Sequence, residues 1–337
     1  MEPTDVAADA GTRGRVRVLS LGGTIAMTHR SGDGGGVTPR LTGADLVAAV
    51  PGLDDGMEIV AEDFRQVPSA CLSIDDVAEL AAYLNAAAGD GTGAVVTQGT
   101  DTLEETAFLL DLLYTGDAPV VLTGAMRNPS MPGADGPANL LDAVRTAAAP
   151  AARARGPLVV FAGDIHAARF VRKTHATSVA AFASANAGPV GHVTEGRPRF
   201  HTTLPRTPTT ALPFTRPAEA EVVPASLGTA GTQLNGLADR ADGAVIAAFG
   251  AGHVPADWAE RLQELAARIP VVLASRTGSG SVLTATYGFP GSETDLLARG
   301  LVNAGPLDPY KARLLLLTHL RTGAGRTAID KAFAAYR

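Results

Sequence analysis

A threonine placed directly after two glycines is the first candidate for chemistry in this sequence. Thr24 follows Gly22 and Gly23, which themselves follow the apolar run 16–21. Two glycines let the backbone turn tightly and approach a ligand, and a threonine hydroxyl becomes a nucleophile when a neighbouring base takes its proton. Because Gly-Gly-Thr also occurs in ordinary turns, a plain turn is an equal alternative for this segment.

A second group of hydroxyls lies between Thr97 and Thr102, where three threonines and one carboxylate precede a helical pattern. Helix capping accounts for Thr102 without any catalytic role. Capping does not need Thr100 and Asp101 as well. A carboxylate and a hydroxyl at this point could bind a substrate ammonium, while free backbone N–H groups at the helix start bind a carboxylate. The segment is therefore suited to a zwitterionic ligand.

Three buried strands are expected to position these groups. The apolar runs are 16–21, 93–97 and 119–122. Each leads into a small polar loop, a pattern typical of a parallel α/β sheet. A helix is predicted to start at Thr102, with Thr102 and Glu105 forming a capping box. Since ligands of such sheets bind where loops leave the carboxyl ends of strands, we expect the three loops to gather at one edge.

The order of these patterns predicts an α/β protein with two domains. The larger, N-terminal domain has a mostly parallel sheet flanked by helices, and a smaller α/β domain follows. Five prolines and little periodicity predict a linker between the two. The predicted bounds are a flexible leader at 1–14, a catalytic domain at 15–200, the linker at 201–220 and a C-terminal domain at 221–337.

Composition excludes several classes of function. The chain has 337 residues, a net charge of −6 and only 18% charged residues, without the basic cluster that nucleic-acid binding needs. No apolar run is long enough to cross a bilayer, so no membrane association is expected. Cys71 is the only cysteine, which precludes an intrachain disulfide and is compatible with the cytoplasm. Scattered histidines and the lack of P-loop or Rossmann glycines predict no metal and no cofactor.

Seven segments of the sequence resemble the bacterial asparaginase/glutaminase family. In chain order they are 22–26, 100–105, 122–127, 134–139, 173–174, 182–189 and 307–315. Their shared order and spacing argue against accidental similarity. The resemblance extends over nearly the whole chain from Val16, and it implies the two-domain fold of that family and the activity of an amidohydrolase.

The resemblance also implies roles for the hydroxyl clusters. Thr24 would be the nucleophile that forms an acyl-enzyme, and Thr100, Asp101 and Lys173 would form a second hydroxyl–carboxylate–ammonium group beside it. A lysine held near Asp101 could order Thr100 and tune proton transfer, an effect worth about 10²- to 10⁴-fold in rate for a positioned acid or base. Taken alone, Lys173 would be interpreted as a solvated surface lysine.

The implied substrate is a small amide, L-asparagine, which is hydrolysed to L-aspartate and ammonia. Ser69 corresponds to a serine that holds the substrate carboxylate, with a plain loop serine as an equal alternative, and Ala125 would offer its carbonyl to the departing amide. The family resemblance further implies a homotetramer, a dimer of dimers, in which the C-terminal domain completes a neighbour's site. The implied substrate-binding residues are Gly23, Ser69, Gly99, Ala125, His253 and Ser281.

The sequence departs from the family pattern at several positions. The family carries a tyrosine in a loop after the nucleophile, whereas residues 29–39 contain none and the aligned position falls near Gly36. His29, Ser31, Asp33 or a water molecule could replace that phenol. Gln98 stands where the family often has histidine, and Ala70 where a polar side chain commonly touches the substrate.

Two further departures concern the substrate amine. His253 and Ser281 stand where the family usually donates an asparagine and a glutamate from the neighbouring subunit. Losing the glutamate weakens the expectation of a free amino group on the substrate. Two alternatives therefore stay open beside asparagine hydrolysis: a specialised hydrolase of another small amide or lactam, and an amide-binding homologue with weak or no turnover.

Overall fold

The computed structural model of the chain describes residues 14–29, 37–53, 56–210 and 212–337. The predicted leader, except for Gly14, lies outside the described residues. Residues 30–36, which include Ser31, Asp33 and Gly36, also lie outside them. The first element, β1 (Arg15–Ser20), is the apolar strand expected before the two glycines.

Within the described residues, eight strands form the large sheet of the N-terminal part. Its order is β12 (Arg197–Phe200), β11 (Gly191–Thr194), β8 (Asp164–Ala167), β7 (Pro157–Phe161), β6 (Val120–Thr123), β5 (Gly93–Thr97), β1 and β4 (Glu58–Asp63). The strands from β7 to β4 run parallel, while β8, β11 and β12 extend the sheet antiparallel. Two small ribbons lie beside it: β2 (Met27–His29) pairs with β3 (Val37–Pro39), and β9 (Arg172–Lys173) pairs with β10 (Phe182–Ala183).

The C-terminal part contains a smaller sheet that is parallel throughout. Its order is β13 (Ala220–Pro224), β14 (Gly243–Ala248), β15 (Val271–Ser275) and β16 (Val302–Asn303). The described residues between β12 and β13 form no helix or strand. Together the two sheets confirm the predicted α/β class with a large and a small unit; the domain bounds themselves stay a prediction.

Helices cover both sheets. They are α1 (Gly43–Ala48), α2 (Ile74–Ala87), α3 (Leu103–Leu113), α4 (Gly136–Ala148), α5 (Ala259–Arg268), α6 (Glu293–Ala298), α7 (Pro309–Arg321) and α8 (Arg326–Ala334). In the central strands, successive residues point to opposite faces, so Val95 and Val121 face α4 while Val96 and Leu122 face α3. One hydrophobic core lies between the two sheets and joins α3 to α7, and a further core covers the outer face of each sheet.

The start of α3 corrects one expectation from the sequence. Thr102 is the N-cap residue, as predicted, but it makes no side-chain capping bond. Its hydroxyl instead donates to the carbonyl of Ser69 at 3.0 Å. The capping box with Glu105 is therefore absent, because the Thr102 hydroxyl makes its hydrogen bond with a neighbouring loop rather than with its own helix.

Candidate active site

The loop after β1 brings Thr24 close to the loop after β5. Gly22 and Gly23 adopt φ values of 94° and 89°, a region that strongly favours glycine. A Cβ atom on Gly23 would lie 1.9 Å from the backbone nitrogen of Gly99. The two loops are therefore in direct backbone contact, one residue before Thr24 and one residue before Thr100. Thr24 itself opens a 3₁₀ turn and is half-buried.

The amine of Lys173 joins Thr100 to Asp101. Its Nζ lies 2.9 Å from Thr100 Oγ1 and 2.9 Å from Asp101 Oδ1. Thr100 is buried and the Lys173 side chain is only 17% exposed, whereas the Asp101 side chain is 70% exposed. The lysine is thus not a freely solvated surface group. From this position Lys173 Nζ donates hydrogen bonds to the Thr100 hydroxyl and to one oxygen of Asp101, and most of the Asp101 side chain stays exposed.

Ser69 lies beside the same backbone contact. A Cβ atom on Gly99 would fall 2.6 Å from Ser69 Oγ, and Ser69 is buried. Thr102, on the other side of the loop, holds the Ser69 carbonyl. The structure therefore brings Gly23, Gly99, Ser69 and Thr100 together at the carboxyl ends of β1 and β5, where the sequence predicted that the loops would gather.

The loop after β6 joins this group. A Cβ atom on Gly124 would lie 2.5 Å from the Gln98 carbonyl. Ala125 is fully buried, and the carbonyl of Gly124 accepts a hydrogen bond from Asn139 Nδ2 at 3.0 Å. The Asp135 carboxylate accepts hydrogen bonds from the backbone N–H groups of residues 126 and 127. These bonds from α4 fix the path of the loop that carries Ala125.

Gln98 carries an unused acceptor next to these loops. Its side chain is fully buried, and Nε2 donates weakly to the Gly99 carbonyl at 3.3 Å and to Thr102 Oγ1 at 3.4 Å. Its Oε1 atom has no hydrogen-bond partner among the described residues. Buried acceptors are normally satisfied, so Oε1 is suited to a water molecule or a ligand donor.

His253 and Ser281 lie on the C-terminal part and make no hydrogen bond with the loops of Thr24 and Thr100 in the described portion of this chain. His253 Nε2 lies 3.2 Å from Oε2 of Glu293, a fully buried carboxylate that also accepts hydrogen bonds from the N–H groups of Thr286 and Tyr287. These hydrogen bonds hold the pKa of Glu293 below its ordinary value against the opposing effect of burial. The Ser281 hydroxyl donates to the carbonyl of Val282.

Sequence reasoning missed two buried carboxylates near these residues. Glu293 supports His253, and Glu104 accepts a hydrogen bond from the backbone N–H of Lys173. Burial raises the pKa of Glu104, with the Lys173 N–H acting against that effect. Glu104 belongs to the 100–105 motif, which was the available signal, but only the tertiary structure shows what its side chain contacts.

Other sequence expectations concern metal and membrane binding. Among the described residues, no three histidine, cysteine, aspartate or glutamate side chains cluster in a way that could hold a metal ion. No helix in those ranges combines the length and the apolar character needed to cross a membrane.

Comparison with known proteins finds relatives over almost the whole chain. The family model described as "Asparaginase, N-terminal" matches residues 15–206, and the family model described as "Glutaminase/Asparaginase C-terminal domain" matches residues 221–333. A Deinococcus radiodurans protein named "Probable L-asparaginase" is 41% identical over 323 residues, covering 95% of this chain and 97% of the relative. The protein named "L-asparaginase 2" of Escherichia coli is 34% identical, covering 95% and 93%.

A solved structure has the same fold over almost the whole chain. It is the "Probable Cytoplasmic L-asparaginase from Campylobacter jejuni", and it superposes with a TM-score of 0.86 at 30% identity, covering 96% of this chain and 100% of that one. Both family models match in chain order and together cover most of the sequence, and the chain belongs to the asparaginase family of amidohydrolases.

Proposed function

We propose that this protein hydrolyses the side-chain amide of L-asparagine to L-aspartate and ammonia through an acyl-enzyme on Thr24. The observation that carries the proposal is the Lys173 amine, held 2.9 Å from both Thr100 Oγ1 and Asp101 Oδ1. The Gly23–Gly99 contact brings the loop of Thr24 against the loop of this group.

The proposed reaction has two halves. The Thr24 hydroxyl adds to the amide carbon while its proton passes through the Thr100 hydroxyl to Lys173, which acts as a neutral amine in this step, and backbone N–H groups of the loops stabilise the oxyanion. Collapse of the tetrahedral intermediate breaks the C–N bond, and the leaving nitrogen takes that proton back from the Thr100–Lys173 group and departs as ammonia. Water then adds to the ester, and breaking the C–O bond releases aspartate and restores the Thr24 hydroxyl.

Substrate binding uses the polar groups around the loops. The buried Ser69 hydroxyl would hold the α-carboxylate, and the exposed oxygen of Asp101 would hold the α-ammonium. This division suits a zwitterion, because the substrate ammonium meets the exposed side of the Asp101 carboxylate while Lys173 Nζ donates to Asp101 Oδ1. The Ala125 carbonyl would accept a hydrogen bond from the departing amide.

Replacement of the proposed nucleophile tests this function. Ammonia release from L-asparagine is compared between the wild type, Thr24→Ala and the control Thr24→Ser, and we expect a loss of at least about 10³-fold for alanine with partial retention for serine. A mass increase on the peptide of Thr24 after rapid acid quench would reveal the ester. Full activity of Thr24→Ala or of Lys173→Met would refute the assignment.

We further propose that the protein is a homotetramer that acts in the cytoplasm. An apolar group on the C-terminal part supports an interface, because Leu283, Tyr287 and Phe289 are each more than a third exposed. The rings of Tyr287 and Phe289 lie against His253, and the Leu283 N–H donates to the carbonyl of Ala251 nearby in the chain. Contiguous exposed apolar side chains commonly mark protein–protein contacts. The Campylobacter jejuni relative, which is called cytoplasmic, supports the compartment.

A second candidate is hydrolysis of another small amide or lactam. Position 281 carries a hydroxyl that donates to its own chain rather than a carboxylate aimed at an amine. A panel of asparagine, glutamine, N-acylated asparagine and cyclic amides separates the two candidates. A higher kcat/KM for an amide without a free amino group would favour this second function over asparagine hydrolysis.

A further inference from the structure

Lys173 sits on a very short element that needs external support. Strand β9 has two residues and, among the described residues, pairs only with β10, outside the large sheet. At its end the N–H and the hydroxyl of Thr174 both donate to the carbonyl of Ala181, at 2.7 Å and 3.2 Å. An isolated two-stranded ribbon is marginally stable at best, so its pairing alone does not fix the position of Lys173.

Two buried charged side chains reach the backbone of this segment. From α3, the Glu104 carboxylate accepts the backbone N–H of Lys173. From α7 in the C-terminal part, the Lys311 amine donates to the carbonyls of Arg169, at 3.3 Å, and of Val171. Glu104 is 9% exposed and Lys311 is 1% exposed, so both act where water does not compete.

Glu104 and Asp101 hold the same lysine at its two ends. Asp101 contacts the amine, and Glu104, three residues further along the chain, contacts the backbone N–H. The residues at the start of α3 therefore fix both the backbone and the amine of Lys173 relative to Thr100.

We infer that Glu104 and Lys311 are positioning residues, which hold the backbone of residues 169–173 and thereby place the Lys173 amine on Thr100 and Asp101. As a statement about catalysis, this inference rests on the proposed function. Burial raises the pKa of Glu104 and lowers that of Lys311, and each has the other's charge among the groups that oppose this effect. Buried opposite charges that also satisfy backbone groups are costly to remove singly.

The kinetic test compares three variants on the first turns of α3. Glu104→Ala should lower kcat about 10- to 100-fold with little change in KM, because a small misplacement of a catalytic group costs that much. Glu104→Gln keeps an oxygen acceptor of the same reach and should restore kcat to within about threefold of wild type. Glu105→Ala is the matched control: burial also raises the pKa of Glu105, and its side chain makes no hydrogen bond within the described residues.

A second measurement reports on Lys173 without any substrate. The chain has only three lysines, 173, 311 and 331. Acetylation by acetic anhydride, quantified by mass spectrometry relative to the exposed Lys331, should be slow at Lys173 in the wild type. It should rise several-fold in Glu104→Ala and in Lys311→Met, and stay unchanged in Glu105→Ala.

The two measurements separate the inference from the proposed function. If the wild type hydrolyses none of the amides, the proposed function fails and the acetylation of Lys173 still decides whether the segment is held. Unchanged kcat and acetylation in Glu104→Ala would overturn the inference. Equal losses in Glu105→Ala or in Glu104→Gln would do the same, since the effect would then come from helix stability or net charge.

Discussion

His166 is a buried base on β8 whose side chain has a single hydrogen-bond partner in the described part of the chain. Its Nδ1 atom lies 3.0 Å from Ser184 Oγ, and its Nε2 atom has no partner among the described residues. Burial lowers its pKa from the ordinary value of 6.5 to about 4, although Asp164 acts in the opposite direction. Between these two pKa values, His166 is therefore protonated in the unfolded chain and neutral in the folded protein.

The stability of the protein should fall as this proton binds to the unfolded chain. A depressed histidine pKa means that stability is fully present above pH 6.5 and is lost as the pH falls towards 4. Between pH 7.5 and 5 we expect the wild type to lose about 2 kcal/mol more than His166→Asn, which keeps a polar group but does not titrate. Urea unfolding at both pH values measures this difference. A parallel loss in the two proteins would show that His166 is not the group responsible.

Thr102 and Glu104 show why side-chain roles near the site were only partly predictable. Both lie in a motif that the sequence singled out, and local rules assigned Thr102 to a capping box. In the structure, the Thr102 hydroxyl donates to the carbonyl of Ser69, and the Glu104 carboxylate accepts the backbone N–H of Lys173. Both partners are distant in sequence, by 33 and 69 residues, and local patterns carry no information about such contacts.

At the scale of elements, the candidate site depends on the close approach of the loops after β1 and β5. Parallel pairing of these strands brings Ser20 next to Thr97, so the chains that follow leave the sheet side by side. The approach is closer than any side chain permits at Gly23. The hydrophobic pattern predicted the strands, and the glycines allow the contact.

Adding a single methyl group tests this contact. Gly23→Ala introduces a Cβ atom that overlaps the Gly99 backbone, in addition to strain at a φ of 89°. Gly163→Ala is a matched control, because Gly163 has a φ of 83° but open space around the added atom. We expect Gly163→Ala to lose about 1 to 2 kcal/mol and keep its activity. Gly23→Ala should lose stability well beyond that and at least about 100-fold in kcat/KM.

Thermal unfolding and asparagine hydrolysis measure the two variants. If Gly23→Ala behaves like Gly163→Ala in both, the loops can separate without cost and the contact does not shape the site.

At the scale of the whole molecule, the two sheets pack on one shared hydrophobic core. Helix α7 of the C-terminal part packs on α3. Its Lys311 amine donates to backbone carbonyls of the segment that carries Lys173. His253, by contrast, lies with Tyr287 and Phe289 on an exposed apolar surface and makes no hydrogen bond with the Thr24 loop of its own chain in the described residues. The C-terminal part thus contacts the segment of Lys173 in its own chain through Lys311, whereas His253, whose side chain is 22% exposed, lies against the exposed rings of Tyr287 and Phe289.

Mixing two impaired variants tests whether His253 serves a neighbouring subunit. Thr24→Ala lacks the nucleophile, and His253→Ala should lose about 10-fold or more in kcat/KM if it contacts substrate. After denaturation and refolding together, mixed dimers contain one site with both residues intact. We therefore expect the mixture to regain a substantial fraction of wild-type activity, with each variant refolded alone as the control. No gain over the two variants refolded separately would place the function of His253 within its own chain.

The sequence by itself determined the α/β class and the strands before the polar loops, because these follow from local periodicity, and its resemblance to the family implied the set Thr24, Thr100, Asp101 and Lys173, whose catalytic roles stay a prediction. Tertiary structure alone decided how that set is held: the Gly23–Gly99 contact, the hydrogen bond from Thr102 to Ser69, and the support of Lys173 by Glu104 and Lys311. The physical reason is that buried hydrogen bonds and charge pairs form between whichever groups packing brings together, and this packing joins segments far apart in the chain.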